Sequence, residues 1–151
     1  MRKFNEQALE LCKIQGQIFA ESTNKIKGSS LLFIRRYMNS TFCNKLDNMT
    51  YLFEKDDVFD EINNCGNKGI KISEDILYWV GYIYRYWAYT YNLSSKNIYK
   101  IIPGSEIVSL YGPYHTLDPE NAIQRIYEHK RIKPQQSQLD LIRDNYKNIL
   151  K

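Results

Sequence analysis

The 151-residue chain has little of what usually announces a function. Its three cysteines, Cys12, Cys43 and Cys65, are odd in number and far apart, with no C-x-x-C pair and no Cys/His cluster. Neither a disulfide framework nor a metal site is therefore expected. Seven glycines and four prolines exclude collagen-like and low-complexity chains. Neither sign of charge dominates: 21 Lys and Arg against 17 Asp and Glu leave +4, spread evenly over residues 1–72 and 73–151. The lopsided basic segment of a phosphate-driven nucleic-acid binder is missing. So are a P-loop, G-x-G-x-x-G, H-E-x-x-H and G-x-S-x-G, which leaves no catalytic residue or cofactor to name. Arg125 and His129 lie closer together than the R-to-H spacing of the all-α HEPN ribonucleases. Long apolar runs are also missing. The opening MRKFNEQALELCK carries acids early and has no continuous apolar stretch, unlike a signal peptide, so a cytoplasmic bacterial setting is expected. The nearest approach to a membrane span is 76–95, with Arg85 as its only charge. Six tyrosines, a polar end and the cost of an intramembrane Arg argue against insertion.

What the chain has in abundance is aromatic side chains, 14% of its residues: 13 Tyr, 6 Phe and 2 Trp. An AT-rich genome accounts for part of the tyrosine. The rest is concentrated, since eight of the 21 rings fall between Tyr78 and Tyr91. Helical periodicity predicts a compact all-α bundle of six to eight helices in one domain, 1–151, around a buried aromatic helix at about 73–91. Helices are expected from Phe4 to about Lys25, through Leu31–Met38 after a Gly28-Ser29-Ser30 break, and from Ser40 to Leu46. The next is an acidic one from Tyr51 to Ile62, with Leu52, Phe53, Val58 and Ile62 inward and Glu54, Asp56, Asp57, Asp60 and Glu61 outward. The acidic face reads as solvated or as a dock for a basic partner.

Asn63–Gly69 reads as a loop and Gly69–Ile72 as the one candidate strand. Ser73 reads as a capping hydroxyl ahead of Glu74 and Asp75. Ser94 or Ser95 opens a short helix ended by Pro103-Gly104. One further turn or two follow over Glu106–Tyr111, and Gly112-Pro113 breaks the chain again. Asp118 and Pro119 start a helix whose inner face is Ala122, Ile123, Ile126 and Tyr127. A terminal amphipathic helix is expected over Gln138–Leu150, within 136–151.

Inside the central helix, Gly81 weakens helix propensity and implies close approach of another helix. Arg85 stands among rings that stack on a guanidinium, yet a buried Arg also needs an acidic or carbonyl partner. Two readings stay open: an aromatic core with one internal ion pair, or a binding surface of Tyr82, Arg85, Tyr86 and Tyr89. His115, at a helix entrance, is either packed or joins Arg85 in holding an anion. Residues 83–102 have helix-turn-helix spacing, which makes Ser95, Lys96, Asn97 and Lys100 candidate nucleic-acid contacts.

The strings Trp79-Val80-Gly81-Tyr82-Ile83-Tyr84-Arg85-Tyr86-Trp87, Ser94-Ser95-Lys96-Asn97-Ile98-Tyr99-Lys100 and His115-Thr116-Leu117-Asp118-Pro119 resemble a group of small bacterial proteins. These accompany toxin–antitoxin modules whose toxin resembles an ADP-ribosyltransferase. The resemblance covers about residues 73–128, in the motif-bearing half 73–130, and leaves 1–72 less typical. Where the group's string continues with histidine, this chain has Ala88. The resemblance implies an antitoxin-like or phage-defence role through a protein partner, a toxin encoded nearby. DNA binding by 83–102 and a small-ligand or enzymatic pocket around Arg85 and His115 are the alternatives.

Overall fold

A computed structural model describes residues 5–66 and 68–132. The chain opens with α1 (Glu6–Lys25), capped by Asn5, whose side chain accepts from the Ala8 amide. It continues through β1 (Lys27–Gly28), α2 (Ser30–Met38), α3 (Thr41–Asp47), α4 (Lys55–Glu61) and β2 (Asn64–Cys65). The second half comprises α5 (Glu74–Tyr91), α6 (Ser95–Ile101), α7 (Gly104–Ser109), α8 (Tyr111–Tyr114) and α9 (Pro119–Lys130). The predicted all-α bundle forms, with nine helices among the described residues rather than six to eight. Ser29, Ser40, Ser94 and Asp118 each accept an orphan amide of the following first turn.

Local expectations fail where tertiary contacts compete with them. Gly69–Ile72 is not a strand; the backbone pairing is the two-residue parallel ladder of Lys27 with Asn64 and Gly28 with Cys65. Ser73 occupies the N-cap position of α5 without a side-chain cap bond. The acidic helix is shorter than its periodicity predicts, and Leu52, ahead of it, is 84% exposed rather than inward. Gly112 and Pro113 lie inside the single turn α8 instead of breaking the chain there. The expected terminal helix at 138–150 and Phe4 lie outside the described residues.

Helix α5 is central, and its main packing partner is α1. The crossing rests on two glycines. A Cβ on Gly81 would stand 2.7 Å from the Gln15 carbonyl oxygen and 2.8 Å from the Phe19 ring, so only a bare backbone fits there. Gly16 of α1 performs the reciprocal service, leaving the space that the Tyr78 ring fills. Around this contact a contiguous core gathers Phe19, Phe33, Tyr37, Leu77, Val80, Ile83, Tyr84 and Trp87. Phe19 meets Tyr37 edge-on at 5.1 Å between ring centroids, and Trp87 meets Tyr127 of α9 at 5.0 Å. Their polar handles are partnered: Trp87 Nε1 donates to the Tyr127 hydroxyl at 2.8 Å, and the Tyr84 hydroxyl donates to the Ile102 carbonyl at 2.6 Å. No helix among the described residues is long and apolar enough to cross a membrane.

Candidate functional site

The inner and outer faces of the aromatic helix behave differently, and the inner face is organised around Arg85. Its side chain is only 2% exposed. Nη1 donates to Asp47 Oδ1 at 2.5 Å, while Nε and Nη2 donate to Gln15 Oε1 at 3.1 and 2.8 Å. Nη2 also reaches the Cys43 carbonyl at 3.2 Å and the Ser95 hydroxyl at 3.1 Å. Asp47 in turn accepts from the Ser95 hydroxyl through Oδ1 and from the Ser95 amide through Oδ2 at 3.0 Å. Gln15 completes the set: its Nε2 donates to the Gly81 carbonyl at 2.8 Å and its Oε1 accepts from the Tyr37 hydroxyl at 3.1 Å. One guanidinium thereby ties α1, α3, α5 and α6 together around a buried charge pair.

The electrostatics follow from that geometry. Burial acts to lower the Arg85 pKa, but Cys43, Asp47 and Tyr37 outweigh it and hold the cation above its ordinary value. The Asp47 carboxylate is the opposite charge that the guanidinium faces. Burial likewise pushes the Cys43 thiol up to about 11 and the Cys12 thiol up to about 12, against partial relief from Arg85. Both thiols stay protonated and inert at physiological pH. Beside the pair lies a cavity of about 30 Å³, lined by Arg85, Asp47, Tyr89, Leu11 and Leu93 among others. That volume holds one or two waters, too little for a nucleotide. A roomier groove of about 190 Å³ runs past Asp47, Asn44, Ser94 and Lys96.

The sequence-predicted residues therefore separate. Arg85 is a structural ion pair and does not join a ligand pocket, because Asp47, Gln15, Cys43 and Ser95 enclose it. His115 does not join it: it is exposed, stacked on Tyr111 at 4.1 Å, with Nδ1 2.7 Å from the Tyr111 carbonyl. Ser95 is 1% exposed with its hydroxyl committed to Asp47, which removes it from any nucleic-acid contact. Lys96 and Lys100 are exposed on α6 and Asn97 is half-buried. No group of three or more metal-ligating side chains occurs among the described residues.

What α5 does present outward is tyrosine. Tyr78, Tyr82 and Tyr86 recur every four residues, one helical turn apart on one face. Their rings are near-parallel: centroids lie 6.1 and 6.4 Å apart, with planes inclined by 29° and 23°. Those separations are too long for full face-to-face overlap. Tyr78 is 36% exposed and Tyr82, Tyr86 and Tyr89 are half-buried. Burial, then Cys12 and the adjoining phenols, push Tyr82 up to about 12, so it remains a neutral hydroxyl. Sequence reasoning missed Tyr78, Gln15 and Asp47 as site residues. Gln15 left one signal, a polar residue at an apolar position of α1. Asp47 left one faint signal, an acid at the C-terminal end of α3, where the helix dipole favours a cation. The chain matches no family model, no curated protein and no solved structure.

Proposed function

We propose that the chain is an antitoxin-like binding protein that acts in the cytoplasm by capturing a protein partner encoded beside it. Its contact surface is the tyrosine face of α5, Tyr78, Tyr82 and Tyr86, with Tyr89 at its end. The observation that carries this reading is the ladder of near-parallel Tyr78, Tyr82 and Tyr86 rings, with Tyr78 36% exposed, on a helix packed mainly against α1. Tyrosine gives an interface large, rigid contact area and a hydroxyl at low entropic cost, and it is enriched among residues that dominate binding energy. The helix is held rigid from behind by Arg85, so the surface is preorganised. A nucleic-acid reading has less support. With Ser95 committed to Asp47, it rests on Lys96, Asn97 and Lys100 of a seven-residue helix.

Co-expression with the neighbouring gene product followed by size-exclusion chromatography tests the proposal. Co-elution of the two proteins is expected, and Tyr78→Ser with Tyr82→Ser should weaken it by at least about tenfold, the scale of one or two interface anchors. Separate elution of the wild-type pair at micromolar concentration overturns the reading.

A further inference from the structure

Folding assembles a basic patch from stretches that lie apart in the chain. The segments 63–66 and 68–71 lie along the turn between α1 and α2. The amides of Lys27, Ser29 and Ser30 hold them there, donating to the Asn63, Cys65 and Ile70 carbonyls at 2.8, 3.0 and 3.2 Å. Gly69 permits the close approach, since a Cβ on it would stand 2.5 Å from the Ser29 Cβ. Lys71 Nζ donates to the Ile26 carbonyl at 2.5 Å, and Arg36 Nη1, reaching over from α2, donates to the Asn64 carbonyl at 2.6 Å. Lys27 is the ladder partner of Asn64, and Lys68 adjoins Gly69. Four cations from three separate stretches thereby meet around one turn, and Lys25 and Arg35 adjoin them in the chain. All six are exposed, and none makes an ion pair among the described residues. The two carbonyl bonds fix the Lys71 and Arg36 head groups before anything binds. Two apolar side chains stand at the same place. Ile70, between Lys68 and Lys71, is 81% exposed, and Leu31, next to Ser30, is 37% exposed. The Ile70 backbone is pinned by the Ser30 amide, and the next amide, Ile72, donates to the Ser30 hydroxyl at 2.9 Å, so the isoleucine is held out rather than left loose. Asp60 and Glu61, in the last turn of α4, bound the patch ahead of Asn63, and Glu74, which accepts from Asn24 at 2.8 Å, bounds it beyond Ile72.

We propose that this patch docks the chain on an anionic phospholipid surface, with its cations at the lipid head groups and Ile70 inserted at the head-group boundary. Clustered Lys and Arg are drawn to an anionic leaflet, each strengthening partitioning by about fivefold. An inserted isoleucine adds apolar burial, which charge attraction alone does not supply. Duplex nucleic acid would use the cations and leave Ile70 in water. Single strands need stacking platforms, and the segments 25–28, 35–36 and 63–71 carry no aromatic residue. The contact is peripheral, in a chain without a helix long and apolar enough to cross a membrane among its described residues. It uses none of the α5 tyrosines, so it stands or falls independently of the partner surface.

The experiment sediments the full chain with sucrose-loaded vesicles of phosphatidylcholine, alone or with about 30% phosphatidylserine, at about 0.1 M salt. The chain is expected to sediment with the anionic vesicles and to stay in solution with the neutral ones. Lys27→Gln with Lys68→Gln should lower partitioning by about twentyfold, about fivefold for each cation. Ile70→Ser keeps every charge and should lower it by about threefold or more. Lys96→Gln with Lys100→Gln removes two exposed cations from α6 and should change it by less than about twofold, because attraction to the leaflet is local. Equal sedimentation with neutral vesicles overturns the proposal, as does an equal loss in the α6 variant, which would mark a response to net charge. An Ile70→Ser variant that partitions like the wild type overturns it too. So does failure to sediment with either vesicle; if the chain then binds a labelled DNA duplex and Lys27→Gln with Lys68→Gln weakens that binding, nucleic acid is the occupant of the patch.

Discussion

The buried charge pair makes the sharpest prediction, because its two members are buried to different degrees. Asp47→Ala removes the carboxylate that accepts from Arg85, the Ser95 amide and the Ser95 hydroxyl. The Arg85 cation, at 2% exposure, is left with neutral acceptors only: Gln15 Oε1, the Cys43 carbonyl and the Ser95 hydroxyl. Leaving a buried charge uncompensated costs about 3–5 kcal/mol, a large fraction of the roughly 5–15 kcal/mol that holds a domain folded. Arg85→Met keeps an apolar stem in the same space and leaves behind Asp47, whose side chain is 14% exposed. Water reaches that carboxylate, and Ser95 still donates to it twice. The cost of the second change should be about 1–3 kcal/mol. The double variant Asp47→Ala with Arg85→Met strands no charge, so it should be more stable than Asp47→Ala alone by about 1–2 kcal/mol, which makes the two changes strongly non-additive. Urea unfolding followed by circular dichroism measures all four proteins, with the denaturant slope required to stay constant. The order should persist at 1 M salt, because a buried pair is screened little. A loss below about 1 kcal/mol in Asp47→Ala refutes the reasoning, as does a double variant less stable than that single one.

Other consequences are more local. Gly81→Ala gains about 1 kcal/mol of helix propensity but sets a methyl group 2.7 Å from the Gln15 carbonyl oxygen and 2.8 Å from the Phe19 ring. A net loss of about 1–3 kcal/mol in urea unfolding is expected, and a gain would mean that α1 and α5 separate freely. The buried thiols predict alkaline sensitivity. Cys12 and Cys43 titrate at about 12 and about 11 in the folded chain against an ordinary 9.0. Above pH 9 the unfolded chain holds fewer thiol protons than the folded one. The stabilisation is therefore complete below the ordinary thiol range and lost as pH rises through 9 to 11 or 12, by about 1.4 kcal/mol per pH unit per thiol. Urea midpoints between pH 7 and 11 should show this fall, and Cys12→Ala should flatten it. Identical slopes in the variant would refute the assignment.

The site was less legible than the fold because its chemistry is non-local. Arg85 was legible as a charge on an otherwise apolar helix that must find a partner, and the two open readings differed only in what that partner was. Nothing near position 47 in the chain marks Asp47 as that partner. It sits 38 residues away at the C-terminal end of α3, where the dipole disfavours an acid but does not say what offsets it, and only the packing of α3 against α5 and α6 brings the two together. Gln15 was half legible, as an amide inside an apolar stripe, and its meaning is to bridge the Gly81 carbonyl, Tyr37 and Arg85 across three helices. Ser95 read as a solvent-facing helix start, yet its hydroxyl turns inward because Asp47 offers a stronger acceptor than water.

Periodicity, caps and the concentration of rings by themselves determined that this chain folds as a helical bundle around residues 74–91. Those signals act within one or two turns, where side-chain spacing and the orphan amides of a helix start are decided by neighbouring residues. Which rings serve the core and which face outward was settled by tertiary structure. On a helix apolar on nearly every side, composition does not distinguish the faces. The bare backbones of Gly16 and Gly81 admit α1 along one side, Tyr127 of α9 closes over Trp87 on another, and Tyr78, Tyr82 and Tyr86 stack along a third line of the helix. The opening puzzle of an aromatic excess thus resolves into two populations on one helix, divided by where its neighbours come close enough to exclude water.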